Sequence, residues 1–170
     1  ILGRSAPRVA LLSNGSEPSK GTDIIRSAAA SLSQTTKINF IGYVEGNDIG
    51  RNKADVIVCD GFAGNVLLKG IEGAVELVFD TIKHQVNDSG LAKLGLWLAK
   101  PALKSVFKDK LDPSAYGGAP LLGLNGVSII GHGSSNAKSI MNGIRVAQKL
   151  ADDGLVDKIA AALTDMEGIH

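Results

Sequence analysis

The 170-residue chain is poor in cysteine, in aromatic residues and in net charge, and each shortage excludes something. Its one cysteine, Cys59, leaves no internal disulfide and points to a reducing, cytosolic setting. Aromatic residues make up 4% of the chain beside 44% hydrophobic residues and 21 glycines, a balance of a tightly turned α/β protein rather than a disordered or collagen-like one. The net charge of +1 gives no global preference for a charged partner, nucleic acid included, so only local clusters can carry such an argument. No apolar run approaches the roughly 20 residues that span a bilayer, and no charged-then-apolar leader opens the chain. The first residue is Ile1 rather than methionine, which raises the expectation of a piece of a longer chain. There is no repeat of fixed period and no low-complexity segment.

What is present is an alternation of two apolar patterns. Short β-rich runs are Val9-Ala10-Leu11-Leu12, Ile38-Asn39-Phe40-Ile41, Ala54–Cys59 and Val127-Ser128-Ile129-Ile130. Continuous runs of this kind suit parallel strands buried on both faces, and Cys59 then reads as packing. Helical patterns lie between them, over about 19–34, 65–86, 135–153 and 156–163. The second is the clearest: Leu67, Ile71, Ala74, Val75, Val78, Ile82 and Val86 recur at three- and four-residue steps, opposite Glu72, Glu76, Asp80 and Lys83. The alternation predicts βαβ units and a doubly wound sheet in a single domain of 170 residues.

Three strand-to-helix loops share one chemistry. The first is Ser13–Gly21, with Asn14, Glu17 and Lys20. The second is Asp60-Gly61-Phe62-Ala63-Gly64-Asn65, with Lys69 expected one turn into its helix. The third is Gly131-His132-Gly133-Ser134-Ser135-Asn136, with Lys138 in the first turn beyond. Glycine lets backbone N–H groups approach a ligand, and a helix start offers unpaired donors and partial positive charge. A nearby lysine completes an anion site. Three such loops on one sheet edge would suit a phosphate, carboxylate or thioester substrate. Each also has a plain structural reading, because Asn and Ser are good helix N-caps and Gly is common in βα turns. Asp60 could orient a ligand or cap the helix after it, and the ligand role is preferred.

Known motifs mostly fail. No G-x-x-x-x-G-K-[ST] occurs. Gly131–Asn136 approaches G-x-G-x-x-G but carries Asn in place of the third glycine and lacks the acidic residue ~20 positions on. No G-x-S-x-G elbow is present. His132 and Ser134 are neighbours along the chain, which rarely face each other, so a Ser–His nucleophile is not favoured. His84 lies in a helix and His170 is terminal, so no histidine metal cluster emerges.

Residues 89–108 hold lysines and no acid. Lys100, Lys104 and Lys108 share a helical stripe that Lys93 joins, with Leu91, Leu94 and Leu98 opposite and Trp97 among the lysines. Pro101 would kink the stretch or start a second helix. The segment could pack on its own domain or on a second subunit. As an interaction surface it would meet anionic lipid or an acidic protein.

The strings "YGGAPLLGLNGVSIIGHGSSNAK" (Tyr116–Lys138), "ADVIVCDGFAGNVLLKGIEG" (Ala54–Gly73), "IGYVEGNDI" (Ile41–Ile49) and "LLSNGSEPSKG" (Leu11–Gly21) resemble the phosphate acyltransferase family, and the resemblance spans essentially the whole chain. It implies a three-layer α/β/α sandwich akin to isocitrate and isopropylmalate dehydrogenases, here as its C-terminal part. It also implies formation of acyl phosphate from acyl-acyl-carrier-protein and inorganic phosphate, feeding bacterial phospholipid synthesis. No cofactor is implied, and the partners are the acyl carrier protein, phosphate, a second copy in a homodimer, and the inner face of the cytoplasmic membrane. Family members carry a further N-terminal half, so this piece alone is expected to be inactive. On that reading His132, Asp60, Asn65 and Lys69 are catalytic candidates. Asn14, Glu17, Lys20, Gly61, Gly133, Ser134, Ser135, Asn136 and Lys138 bind phosphate or the acyl group. Lys93, Leu94, Trp97, Leu98, Lys100 and Lys104, within a protruding segment 88–112, contact membrane or carrier protein. His132 would be a general acid for the leaving thiol or a positioning group.

Competing readings share the loops: a phosphotransacetylase-like enzyme using coenzyme A thioesters, a nicotinamide-dependent decarboxylating dehydrogenase, or an inactive membrane-docking scaffold. The dehydrogenase would need several metal-binding aspartates, and Asp60 is the only good strand-end candidate.

Overall fold

A computed structural model describes residues 3–87, 90–93, 95–96, 98–99 and 117–166. They group into two compact units, divided between Ile82 and Lys83.

In the first unit, β1 (Val9–Leu12) is followed by helix α1 (Asp23–Gln34), β2 (Phe40–Val44), a 3₁₀ helix (Gly46–Arg51), β3 (Val56–Val58) and the long helix α2 (Gly61–Asn87). The three strands form one parallel sheet in the order β2-β1-β3. The central strand supplies much of the core: Ala10 is fully buried, with Leu11, Val44 of β2 and Ala29 of α1. Arg8 and Asp55 fasten the amino-terminal ends of β1 and β3. The Asp55 carboxylate accepts from the Arg8 backbone N–H at 2.8 Å, from its Nη2 at 3.0 Å and from its Nε at 3.1 Å. Arg4 adds an ion pair at 2.7 Å.

The α/β class and the parallel pairing agree with the sequence pattern. Several boundaries move, each for a local reason. α1 starts at Asp23 rather than near Ser19, because Pro18 and Gly21 precede Thr22, whose hydroxyl accepts from the Ile25 N–H as N-cap. The second strand shifts forward to Phe40–Val44. α2 starts at Gly61, not Asn65, because Asp60 caps it: its carboxylate accepts from Ala63 N–H at 2.8 Å and its carbonyl from Gly64 N–H at 3.0 Å. The third strand therefore ends at Val58, and Cys59 is exposed at the junction rather than buried in a strand. The apolar stripe of α2 is also open, with Ile71, Val75, Val78 and Ile82 all exposed, as are Phe62, Val66, Leu68 and Leu77 on its other sides.

The second unit departs further. β4 (Ala119–Pro120) and β5 (Ile129–Ile130) form a two-stranded antiparallel pair, followed by helices α3 (Ala137–Asp152) and α4 (Leu155–Met166). The sequence pattern places Val127–Ile130 in the parallel sheet; instead it pairs with the nearby Gly-Gly-Ala-Pro segment, and Ile130 is 55% exposed. A hairpin-like return, with Leu121 N–H donating to the Ser128 carbonyl at 2.9 Å, makes that partner locally available. Gly117 has φ +75° and packs directly on the backbone of α3 at Asn142 and Gly143. A side chain on Gly117 would collide with that backbone, so this glycine pair sets how closely the β4 approach meets α3.

Candidate functional site: strand ends and helix starts

The order β2-β1-β3 means that the chain leaves β1 for β2 on one side and returns to β3 on the other. The carboxyl ends of β1 and β3 therefore border a topological switch point, where open α/β sheets bind ligands. The register sets Leu11 beside Val58 and Leu12 beside Val44, so the loops opening at Ser13, Glu45 and Cys59 emerge together.

The first loop closes on itself. Asn14 Oδ1 accepts from the Gly21 N–H at 2.9 Å. Glu17 and Lys20 fold across Gly15: an added Cβ there would lie 2.7 Å from Lys20 Cγ and 2.8 Å from Glu17 Oε2. Ser13 is buried beneath, its N–H donating to the Val44 carbonyl at 2.9 Å. At the second strand end, Asp60 serves as the helix cap. Because Asp60 takes the Ala63 and Gly64 donors, the Gly61 and Phe62 N–H groups are the ones with no acceptor inside α2. Asn65 is exposed within the helix. Lys69 lies beyond the second turn, not one turn in, and its Nζ pairs with Glu72 Oε2 at 2.6 Å.

The β2 end carries a further loop, outside the three strand-to-helix loops that the sequence pattern marks. Glu45 there opens the 3₁₀ helix, where Asp48, 5% exposed, accepts from the Glu45 N–H at 3.2 Å and from Lys53 Nζ at 2.7 Å. The Lys53 hydrogen bond, then that to Glu45, holds the Asp48 carboxyl below its ordinary range. The Glu-x-x-Asp spacing of Glu45–Asp48 is the signal that could have shown it. Gly46 faces α2, with room for a Cβ 3.4 Å from Leu67 Cδ1.

The third loop belongs to the second unit and follows β5, so it does not extend from the parallel sheet. Its side chains bond to one another. Asn136 caps α3, its Oδ1 accepting from the Ser139 N–H at 3.0 Å and from the Ser139 hydroxyl at 3.2 Å. The Ser135 hydroxyl donates to the His132 carbonyl at 2.6 Å. His132 Nδ1 and Ser134 Oγ stand 2.7 Å apart, and the Ser134 N–H donates to the same nitrogen at 3.2 Å. The expectation that His132 and Ser134 do not face each other fails, because the tight turn brings both the Ser134 N–H and its hydroxyl onto His132 Nδ1. His132, Ser134 and Ser135 therefore form an internally bonded turn, and Asn136 after it caps α3 ahead of Lys138.

Within the basic segment, residues 90–93, 95–96 and 98–99 are helical, and Leu91, Lys93 and Leu98 are all exposed. Leu94, Trp97, Lys100 and Lys104 lie outside the described residues, as does most of 88–112. Among the described residues no helix is long and apolar enough to cross a membrane, and no group of three or more His, Cys, Asp or Glu could hold a metal.

These features define an α/β protein with a small parallel sheet and helices that start at its strand ends. By sequence comparison the chain belongs to the family of fatty acid synthesis proteins, matched over residues 1–158. It is similar to the phosphate acyltransferase of Pelotomaculum thermopropionicum, 48% identical over 167 residues covering 98% of this chain and 48% of that protein. It also resembles the phosphate acyltransferases of Syntrophotalea carbinolica, 47% identical over 96% of this chain and 46% of that protein, and of Geotalea uraniireducens, 47% identical over 97% and 47%. The chain spans about half the length of the curated relatives it matches.

Proposed function

We propose that the protein carrying this chain is a phosphate acyltransferase that makes acyl phosphate from inorganic phosphate and the thioester of an acyl carrier protein. The observation that carries the reading is 44–49% identity, over 95% or more of the chain, to proteins of that name. The strand-end chemistry supports it. A phosphate oxygen supplies the electron pair for the new C–O bond, the carbonyl becomes a tetrahedral oxyanion, and the C–S pair leaves with sulfur. Catalysis then consists of holding phosphate beside the carbonyl and stabilising the oxyanion. Gly61 and the α2 amino terminus, with Asn14 and Lys20 on the rim, supply donors at the β1/β3 crevice, and Glu17 lines the same rim as an acceptor. Asn65 and Lys69 serve the same side, with Asp60 holding the helix start. The turn from His132 to Lys138 serves the phosphate or the oxyanion, with Gly133 through its backbone.

The same reading extends to the rest of the molecule. It takes the fold as the C-terminal part of a three-layer sandwich of the isopropylmalate dehydrogenase kind, in a homodimer at the cytoplasmic face of the membrane. The basic segment, with Lys93, Leu94, Trp97, Leu98, Lys100 and Lys104, would contact membrane or carrier protein.

The test is acyl-phosphate formation in the whole enzyme carrying Asn65→Ala or Lys138→Ala. A loss of about 100-fold in either supports the site, the usual scale for one lost oxyanion or phosphate contact. Rates within a few-fold of wild type in both would remove it.

A further inference from the structure

We propose that His132 acts as a fixed hydrogen-bond donor through Nε2–H, with Ser134 as its positioning residue rather than a nucleophile. The proposal rests on the reading of this turn as part of an acyl-transfer site. A backbone N–H can only donate, and the Ser134 N–H donates to His132 Nδ1 at 3.2 Å. Nδ1 must therefore present its lone pair, which places the ring proton on Nε2. The Ser134 hydroxyl, 2.7 Å from the same Nδ1, then serves as a second donor to that nitrogen.

Two consequences separate this from a Ser–His nucleophile. A catalytic base needs a lone pair available to take the hydroxyl proton, and here one lone pair is shared with a backbone N–H. Moreover, among the described residues the hydrogen bonds to Nδ1 come from Ser134 alone, so the arrangement orients the ring instead of activating the serine. Ser135 fixes the other side of the turn by donating from its hydroxyl and its N–H to the His132 carbonyl, at 2.6 and 3.0 Å. The ring is anchored at both its backbone and its Nδ1, and His132 is exposed, so Nε2–H is the group offered outward. Its natural acceptor is an anionic oxygen, either of bound phosphate or of the tetrahedral intermediate.

The expected tautomer can be read directly by histidine-selective ¹⁵N NMR of this chain. Nδ1 of His132 should show the shift of an unprotonated nitrogen and Nε2 that of an N–H, and Ser134→Ala should broaden or partly reverse that preference. A ring protonated at Nδ1 in the wild type overturns the proposal while leaving acyl transfer itself intact. In the whole enzyme, glutamine at 132 places an amide N–H near the position of Nε2, whereas asparagine places it near Nδ1. His132→Gln should keep at least ten times the kcat of His132→Asn. Equal loss in the two variants overturns the donor role. Inorganic phosphate titrated into the whole enzyme, labelled at histidine, distinguishes the acceptors. A shift of the Nε2–H signal assigns it to phosphate, and an unmoved signal with a lower kcat for His132→Asn assigns it to the oxyanion. An acyl group found on Ser134 by mass spectrometry would also overturn the proposal.

Discussion

Asp55 and Asp48 are each about 5% exposed as side chains and each serves several donors. The Arg8 side-chain and backbone hydrogen bonds, with Arg4 adding charge, hold the Asp55 carboxyl far below its ordinary range. Folding thus lowers both carboxylate pKa values. Their contribution is complete above the unfolded value near pH ~4 and is lost as pH falls through the folded values. Urea midpoints measured from neutral pH downward should fall below about pH 4. Asp55→Asn should lower the neutral-pH midpoint and flatten that fall; an unchanged slope would contradict the assignment. A second residue-scale prediction concerns the cap of α3. Asn136→Ala should cost about 1 kcal/mol of stability in denaturant titration, and Asn136→Asp much less. Residues of this kind were only half legible. Asn136 and Asp60 could each be a cap or a ligand in the sequence, because the same oxygen suits both, and only the coordinates show it accepting from Ser139 or Ala63. The His132–Ser134 contact was not legible, since it depends on the backbone path of a short turn that brings residue 134 back onto the ring.

At the scale of elements, the long apolar periodicities were readable. α2, α3 and α4 lie where the three- and four-residue steps place them, within a few residues. The short strands were readable only in part: β1 and β3 fall within their apolar runs, but pairing partners are a tertiary choice, and β5 took a two-residue antiparallel neighbour in place of the parallel sheet. Exposure was also illegible. Val44 is 1% exposed while Val78, on the apolar stripe of α2, is 57% exposed. Val44→Ala should therefore cost about 2 kcal/mol in this chain, and Val78→Ser less than about 0.5 kcal/mol. Comparable losses would show that α2 packs its stripe in solution. The helical part of the basic segment exposes Leu98, and Lys93 is exposed too. On the membrane reading, Leu98→Glu should weaken binding to anionic liposomes several-fold, and unchanged binding in sedimentation would remove that reading.

For the molecule as a whole, the sequence carried the α/β class, the order of its main elements and the strand ends that hold glycine, asparagine and acidic residues. It could not carry the switch point, which comes from β1 pairing with both β2 and β3. It also could not foresee that the third loop would follow a separate hairpin in a second compact unit. The chain covers about half of its relatives' length, so the catalytic claim belongs to the whole enzyme. That claim is tested most directly by following phosphorus-31 signals while the whole enzyme meets phosphate and either an acyl carrier protein thioester or the matching coenzyme A thioester. The account predicts an acyl phosphate signal that grows with the carrier-protein substrate, at least ten times faster than with coenzyme A. No acyl phosphate from the carrier-protein thioester, or a clear preference for coenzyme A, would contradict it.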